Sequence, residues 1–201
     1  MCGTNAQRFE LNTKVRNLLG RGPIPEEKDK IIGLKNHWDD VSDEGNALTN
    51  GAIGHIIPGR HYIQEYPGLA KFKDFQTTDI LFADFITDDG DTFHGLPIDY
   101  QELTTNRPSL TGAQEYTIGS YNKTVSNKLL AYGYSANPLL IIPYSFNYGY
   151  AITTWKAQGS EYPYVLGYDC GWLKKKDPQE YIKYLYTLVT RAEKAVILVG
   201  D

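Results

Sequence analysis

The chain has 201 residues, a hydrophobic content of 41% and a formal net charge of −4 at pH 7, which suits one sizeable core or a core with a smaller inserted domain. Its apolar runs fall short of the roughly 20 residues of a membrane-spanning helix and no leader pattern opens it, so we expect a cytoplasmic protein without membrane contact. Cys2, Cys170 and four scattered histidines match neither a disulfide framework nor a zinc spacing, which argues against a metal site.

The charge is unevenly distributed along the chain. Residues 1–22 hold four Lys/Arg and one acid, residues 23–102 hold six and sixteen, and residues 103–201 hold ten and seven. Two basic ends around an acidic middle favour a segment with a separate role inserted between the halves of one domain. Uneven solvated surfaces would explain the same distribution equally well.

A helix is predicted almost at the start, from Asn5 to Leu19, ending on Gly20 and carrying Arg16 near its C-terminus. Its apolar positions near helical spacing are Phe9, Leu11, Val15, Leu18 and Leu19. Only "MCGT" precedes it, which leaves barely room for a strand that feeds the helix. We therefore expect the chain to be cut at its front.

The middle of the chain carries short β-type runs separated by turn residues. These runs are "DKIIGLK", "GAIGHIIP" and "DILFADFITDDGDTFHGLPIDY", the last with an Asp-Asp-Gly-Asp hairpin signal. They predict a small antiparallel β unit. Residues 107–137 are polar and tyrosine-rich, and their sequence supports only the expectation that part is helical.

An alternation of strand and helix returns towards the C-terminus. "YGYAIT" and "YPYVLGYD" are typical of strands, and a helix follows with Asp177 as N-cap and Pro178 at its first position. Its predicted apolar stripe comprises Tyr181, Leu185, Leu188 and Val189. "AVILVGD" is a continuous apolar run of the kind buried on both faces of a parallel sheet, so the two ends predict an α/β fold.

Several segments resemble a known family. "YGYAITTWKAQGSEYPYV" resembles motif V of superfamily 1 helicases of the RecD-like and Dda-like branch, superfamily 1B, and "YLYTLVTRAEKAVILVG" resembles motif VI. "CGTNAQRFELNTKVRNLLG" is similar to the strand and helix that begin the second RecA-like motor domain, and "DKIIGLKN…NGAIGHII" to the start of its SH3-like insertion. The resemblance implies a discontinuous RecA-like domain over residues 1–24 and 144–201, with a parallel sheet and flanking helices, around an SH3-like β-rich domain over residues 25–143.

The resemblance assigns a nucleotide-binding role to five residues of these motifs. Arg191 would deliver a cation to the γ-phosphoryl group as an arginine finger, although an arginine at a helix C-terminus also complements the helix dipole. Glu161 would accept the ribose hydroxyl, Gly159 would let the backbone approach closely, and Lys156 and Gln158 would lie by the phosphates or DNA. A surface turn is the alternative for this loop.

The same resemblance implies contacts with single-stranded DNA at Thr153, Thr154 and Trp155. Many relatives have histidine where this chain has Trp155, so a buried packing role is equally compatible with that position. Asn5 and Arg8 correspond to motif IV, whose arginine also reaches the γ-phosphate in relatives. An exposed helix arginine is the alternative for Arg8.

The sequence lacks a G-x-x-x-x-G-K-[ST] phosphate loop. With this absence, the resemblance implies the C-terminal part of an ATP-dependent DNA helicase, exodeoxyribonuclease V α-subunit-like, which uses ATP and Mg²⁺ together with an N-terminal P-loop motor domain. The fragment alone is expected to bind no cofactor and to be inactive. The alternative is a stand-alone, non-catalytic module that binds single-stranded nucleic acid or a protein.

Overall fold

The computed structural model describes residues 1–65, 77–105, 107–133 and 142–200. Its helices are α1 (Asn5–Leu18), α2 (Tyr100–Thr104), α3 (Gly112–Ala131), α4 (Gly171–Lys176) and α5 (Pro178–Val189). Its strands are β1 (Asp29–Gly33), β2 (His37–Val41), β3 (Ala47–Leu48), β4 (Ile53–Glu65), β5 (Thr77–Thr87), β6 (Thr92–Asp99), β7 (Phe146–Tyr148), β8 (Tyr162–Tyr168) and β9 (Ala192–Val199).

The chain divides into two compact units. One, here the α/β unit, comprises Met1–Gly22 and Tyr148–Asp201, and the other, here the β unit, comprises Pro23–Asn147. Helices and strands occur in both, so the protein has a mixed α/β fold. The assignment of residues 1–24 and 144–201 to a RecA-like domain, and of residues 25–143 to an SH3-like domain, stays a prediction.

The α/β unit is built on a parallel sheet. β8 pairs with β9 in parallel, from Tyr162 opposite Ala192 to Tyr168 opposite Val199. The Met1 amino group donates to Leu166 O at 2.5 Å, and Tyr168 N donates to Met1 O at 2.9 Å, which is the hydrogen-bond pattern of a parallel pair. Cys2 in turn forms a parallel bridge with Thr153. The segments therefore lie in the order Thr153, Cys2, β8 and β9.

The strand predicted over residues 148–153 is much shorter in the structure. β7 ends at Tyr148, and Thr153 contributes a single bridge. Between them, the backbone N–H and C=O of Ala151 bond the side chain of Asn12 at 2.8 Å each. Because these groups are already paired, Ala151 has no ladder bonds left for a neighbouring strand.

The predicted helix after residue 177 is confirmed as α5. Asp177 Oδ1 accepts from Gln179 N and Glu180 N at 3.1 Å each, and proline occupies the first turn. A Cβ at Gly167 would lie 2.5 Å from Leu188 Cδ1, so glycine at this position lets α5 approach β8 closely. The buried core between them contains Val165, Cys170, Tyr184 and Leu188.

The expectation that the apolar run of β9 is buried on both faces is wrong. Val196 packs towards α5, but the opposite side of the β8–β9 ladder is uncovered among the described residues. Cross-strand register places Leu166 opposite Ile197, and Ile197 is 61% exposed. This outer sheet face consists of Tyr164, Leu166, Ile197 and Val199.

The β unit contains a five-stranded sheet with the order β6-β5-β4-β1-β7. β1 with β4, β4 with β5 and β5 with β6 are antiparallel, and the predicted hairpin at residues 88–91 is confirmed between β5 and β6. Asp99 N donates to Tyr144 O at 2.9 Å and Leu34 N to Ser145 O at 2.9 Å. Residues 144–148 therefore join both ends of the sheet, and it closes on itself around Phe85 and Phe146, whose ring centroids are 5.3 Å apart.

The helical part expected within residues 107–137 is α3. It begins with a capping box, in which Thr111 Oγ1 accepts from Gln114 N at 3.3 Å and Gln114 Oε1 accepts from Thr111 N at 2.8 Å. Residues 134–137 lie outside the described residues.

Candidate functional site

The loop from Thr153 to Glu161 is a hydrogen-bonded turn. Thr153 O accepts from Lys156 N at 3.0 Å and from Ala157 N at 3.2 Å, and Ala157 is fully buried beneath the turn. Gly159 has a φ of +87°, which L-residues rarely adopt, and a Cβ there would have no described atom within 4 Å. The loop is thus fixed from inside and open on the outside at Gly159.

The two threonines at the start of this loop are buried. Thr154 N donates to Cys2 O at 2.9 Å and Thr154 Oγ1 donates to the same oxygen at 3.3 Å. Thr153 Oγ1 accepts a long 3.4 Å bond from Lys156 N. Both hydroxyl groups therefore have partners within the chain.

The accessible side chains of the loop come later in it. The Trp155 residue is 45% exposed, Gln158 and Glu161 are exposed, and Lys156 is half-buried. An indole, an amide and a carboxylate at the surface can stack on a base or accept hydrogen bonds from a ligand. The loop side chains accessible to a ligand are thus those of Trp155, Gln158 and Glu161, together with the open backbone at Gly159.

Arg191 is far from this loop in sequence but contacts it in the structure. Its Nη1 donates to Ser160 O at 3.2 Å and its Nη2 to Thr190 Oγ1 at 3.3 Å, while its backbone O accepts from Tyr162 N at 2.8 Å. Its Nε is buried and has no hydrogen-bond partner among the described residues. The parallel pairing of β8 with β9 therefore places a guanidinium group beside Ser160.

The predicted site residues fall at two edges of the parallel sheet. Trp155 comes just after the carboxyl end of the segment that bridges Cys2 at Thr153. In the same way, α1 comes after Cys2, and α4 comes after β8. Glu161 and Arg191 precede the amino ends of β8 and β9. Because parallel strands share their direction, the structure brings Glu161 and Arg191 together at one edge and leaves Trp155 at the other.

Arg8 lies on the buried side of α1. It shares that side with Asn12 and Arg16, and the Arg16 guanidinium carbon lies 4.2 Å from the centroid of the Tyr148 ring. Asn12 Nδ2 donates to Arg8 O at 2.9 Å as well as to Ala151 O. Asn5, at the start of the helix, is exposed.

Sequence reasoning missed Asn12, which connects α1 to the segment before the loop. The available signal was the spacing of Arg8, Asn12 and Arg16, which puts three polar side chains on one helix face. A polar stripe of this kind indicates a helix that packs against backbone groups or a ligand instead of an apolar core.

The thiol of Cys2 is buried and does not suit the role of a nucleophile. Burial raises the pKa of Cys2 to about 11, against smaller lowering effects that include the nearby N-terminal ammonium group and Arg8. The thiol of Cys2 is therefore protonated near neutral pH. Its Sγ lies 3.6 Å from both Thr4 O and Ile152 O, which suits a structural role.

No group of three or more His, Cys, Asp or Glu side chains in residues 1–65, 77–105, 107–133 and 142–200 is arranged to hold a metal ion. None of the helices described is both long and apolar enough to cross a membrane.

Comparison with protein families found a match in the C-terminal part of the chain. Residues 148–199 match the UvrD-like helicase C-terminal domain. The matched range contains loop 153–161, α4, α5 and the β8–β9 pair with Arg191, so the end of the chain is similar to a helicase C-terminal region. A search of curated proteins found no match.

Proposed function

We propose that this chain is the C-terminal part of an ATP-dependent DNA helicase, and that it supplies motifs V and VI to an ATP site shared with an N-terminal P-loop motor domain. In this proposal, loop 153–161 is motif V and the segment around Arg191 is motif VI. The chain contributes the Arg191 cation and the ribose contact of Glu161, and the P-loop motor domain binds the phosphates.

One observation carries the proposal. Arg191 donates to Ser160 O within the region similar to a helicase C-terminal domain, so the cation and the loop form one local structure. Phosphoryl transfer needs a positive group directed at the charge that develops on the γ-phosphoryl oxygens. Each terminal nitrogen of the half-buried Arg191 guanidinium carries a second N–H beyond the one donated to Ser160 O or Thr190 Oγ1, and these donors suit a phosphate oxygen.

The residues present fit one side of a nucleotide. Glu161 is exposed next to Ser160 and is available to accept a ribose hydroxyl, and Gly159 has open space around it for close approach. Lys156 and Gln158 lie on the same turn, and Arg8 is proposed as the motif IV arginine. ATP bound with Mg²⁺ supplies the reactive phosphoanhydride. The proposal assigns the magnesium ligands to the P-loop domain, as in P-loop nucleotide hydrolases.

Single-stranded DNA is the second proposed ligand. Trp155 is exposed at the carboxyl edge of the parallel sheet, where its ring is available to stack on a base. Thr153 and Thr154 are buried and bonded within the chain, so their proposed part is to hold Trp155 in position. We also propose a cytoplasmic location, because a helicase that uses ATP needs a compartment that contains both DNA and ATP.

The finer classification rests on the sequence motifs and on two features of the fold. A parallel pair joined through helix α5 supports a RecA-like α/β layer. A five-stranded, largely antiparallel sheet that closes on itself supports an SH3-like unit inserted after α1. We assign the protein on these grounds to the RecD-like and Dda-like branch, superfamily 1B.

The test measures ATP turnover in the helicase that contains both motor domains. Arg191→Ala should lower kcat by about 10³-fold or more while KM changes little. Lys194→Ala removes an exposed cation from β9, three residues after Arg191, and is the matched control. If Arg191→Ala had wild-type turnover, Arg191 would have only a structural role, and the proposal would be overturned.

A second measurement separates the motor from a stand-alone binding module. The 201-residue chain alone should show no ATP hydrolysis with or without single-stranded DNA, because it lacks a phosphate loop. Robust turnover by the purified chain would contradict the division of labour between two motor domains.

A further inference from the structure

We propose that the exposed face of α4, formed by Trp172, Lys175 and Lys176, is a second contact surface for single-stranded nucleic acid. This α4 basic face adds to the contact at Trp155, and it rests on the proposed function in that the chain binds a single strand.

The orientation of α4 is fixed by its neighbours. Leu173 packs against the core of the α/β unit, Leu173 N donates to Cys170 O at 2.8 Å, and Asp177 N donates to Leu173 O at 2.7 Å. Residues three and four apart share a helix face, so Trp172 lies with Lys175 and Lys176 on the side away from the core. The Trp172 residue is 46% exposed, and both lysines are exposed.

Within the part of the chain that the structure describes, the lysines of this face have no ion-pair partner. Asp169 accepts from the Tyr181 hydroxyl at 2.9 Å, Asp177 accepts from two backbone amides of α5, and Glu180 pairs with Lys183 at 2.6 Å. Among the described residues, no carboxylate forms an ion pair with a lysine of α4, and Lys174 Nζ instead lies 5.9 Å from the centroid of the Tyr181 ring. The three acids nearest in sequence therefore form no ion pair with these lysines, whose ammonium groups stay available to an anion.

The position of α4 relates it to the proposed DNA contact. α4 follows the carboxyl end of β8, and Trp155 follows the carboxyl end of the segment that bridges Cys2. In open α/β sheets, the carboxyl ends of the strands are a common place for ligands to bind. A single strand that lies along this edge therefore meets both Trp155 and Trp172.

The combination of groups selects the ligand. Proteins that bind single strands without sequence preference pair cations for the phosphates with aromatic rings for the bases. Lysines in a last helical turn also complement the helix dipole, but that effect leaves the exposed indole of Trp172 unexplained. A bare anion would bind through the lysines alone, whereas a single strand would use the lysines for its phosphates and the Trp172 indole for a base.

The experiment measures binding of fluorescent oligo(dT) to the intact 201-residue chain by anisotropy over a series of salt concentrations. Trp172→Ala should weaken binding by about fivefold or more, and Trp172→Phe should restore most of it. Lys175→Ala combined with Lys176→Ala should reduce the slope of log affinity against log salt by about 1.4, since each phosphate contact contributes about 0.7. The matched controls are Trp38→Ala and the pair Lys123→Ala with Lys128→Ala, which remove an exposed indole and two exposed lysines of the β unit.

The outcomes separate this inference from the proposed function. If Trp155→Ala weakens binding while Trp172→Ala equals the Trp38→Ala control, the α4 contact is overturned and the contact at Trp155 stands. If Trp172→Ala weakens binding and Trp155→Ala does not, the α4 contact stands and the proposed DNA edge at Trp155 falls. Equal competition by heparin and oligo(dT) against the wild type, or no binding of oligo(dT) at low salt, would also overturn the α4 contact. Circular dichroism of each variant verifies that it is folded.

Discussion

The side-chain amide of Asn12 pairs with the backbone of Ala151 through two hydrogen bonds of 2.8 Å, one in each direction. Asn12 lies in the middle of α1, and its side chain forms with Ala151 the two backbone hydrogen bonds that a neighbouring strand would otherwise form. Replacement by alanine leaves a buried N–H and a buried C=O unpaired, and each such group costs about 1–3 kcal/mol.

Asn12→Ala should therefore lower the free energy of unfolding by about 2 kcal/mol or more, measured by urea denaturation. Asn17→Ala removes an exposed amide from the same helix and should change it by less than about 0.5 kcal/mol. Equal effects of the two variants would show that the pairing with Ala151 contributes nothing specific.

In the proposed helicase with two motor domains, the two edges of the parallel sheet predict separable ligand effects. Trp155→Ala should weaken single-strand binding by about 1–3 kcal/mol with little change in ATP affinity, because the proposed function has this ring stack on a base. Glu161→Ala should weaken nucleotide binding and spare DNA. The affinities for single-stranded DNA and for ATP, measured for both variants, test this division of the loop. If each variant lost both affinities to the same extent, loop 153–161 would be only structural.

The β unit contains a buried carboxyl pair that predicts a pH effect on stability. Burial raises the pKa of Glu102 above 4.5, against smaller lowering effects of hydrogen bonds from Ser109 and Ser145, and burial also raises the pKa of Asp99, which pairs with Arg107. The folded chain holds these protons to higher pH than the unfolded chain. Their contribution to stability is therefore present below the unfolded pKa and is lost as pH rises through the folded pKa.

Glu102→Gln removes this titration and keeps one acceptor and one donor for the two serines. The unfolding free energy of the variant should rise relative to the wild type as pH increases from about 4 to about 8. Urea denaturation across that range measures the difference, with the exposed Glu193→Gln as control. A constant difference between variant and wild type would rule out a shifted Glu102.

The outer sheet face predicts binding of a hydrophobic dye. Parallel sheets are normally covered on both faces, and here Leu166 and Ile197 are exposed side by side. Ile197→Lys should reduce the fluorescence of anilinonaphthalene sulfonate with the folded chain. Val41→Lys, at an exposed position on β2, is the control, and an equal reduction by both variants would argue against a localised patch.

The sequence determined the elements whose signals are local. Asp177 with Pro178 set the start of α5, and Asp-Asp-Gly-Asp at residues 88–91 set the hairpin between β5 and β6. The capping box Thr111-Gly-Ala-Gln114 was equally readable and would have placed the start of α3. Caps and tight turns depend on residues within one turn of each other, so the chain alone specifies them.

Only the tertiary structure decided which faces are buried. The apolar spacing of the first helix predicted an inward stripe that includes Leu18, yet Leu18 is 86% exposed and Arg8, Asn12 and Arg16 face inward. They do so because α1 packs against backbone groups at Ala151 and the ring of Tyr148, which offer hydrogen bonds and a π-face. The contact between Arg191 and Ser160 has the same origin, since it exists only because β8 and β9 pair in parallel. Periodicity reports which side chains share a face, whereas the partner of that face is fixed by residues distant in sequence.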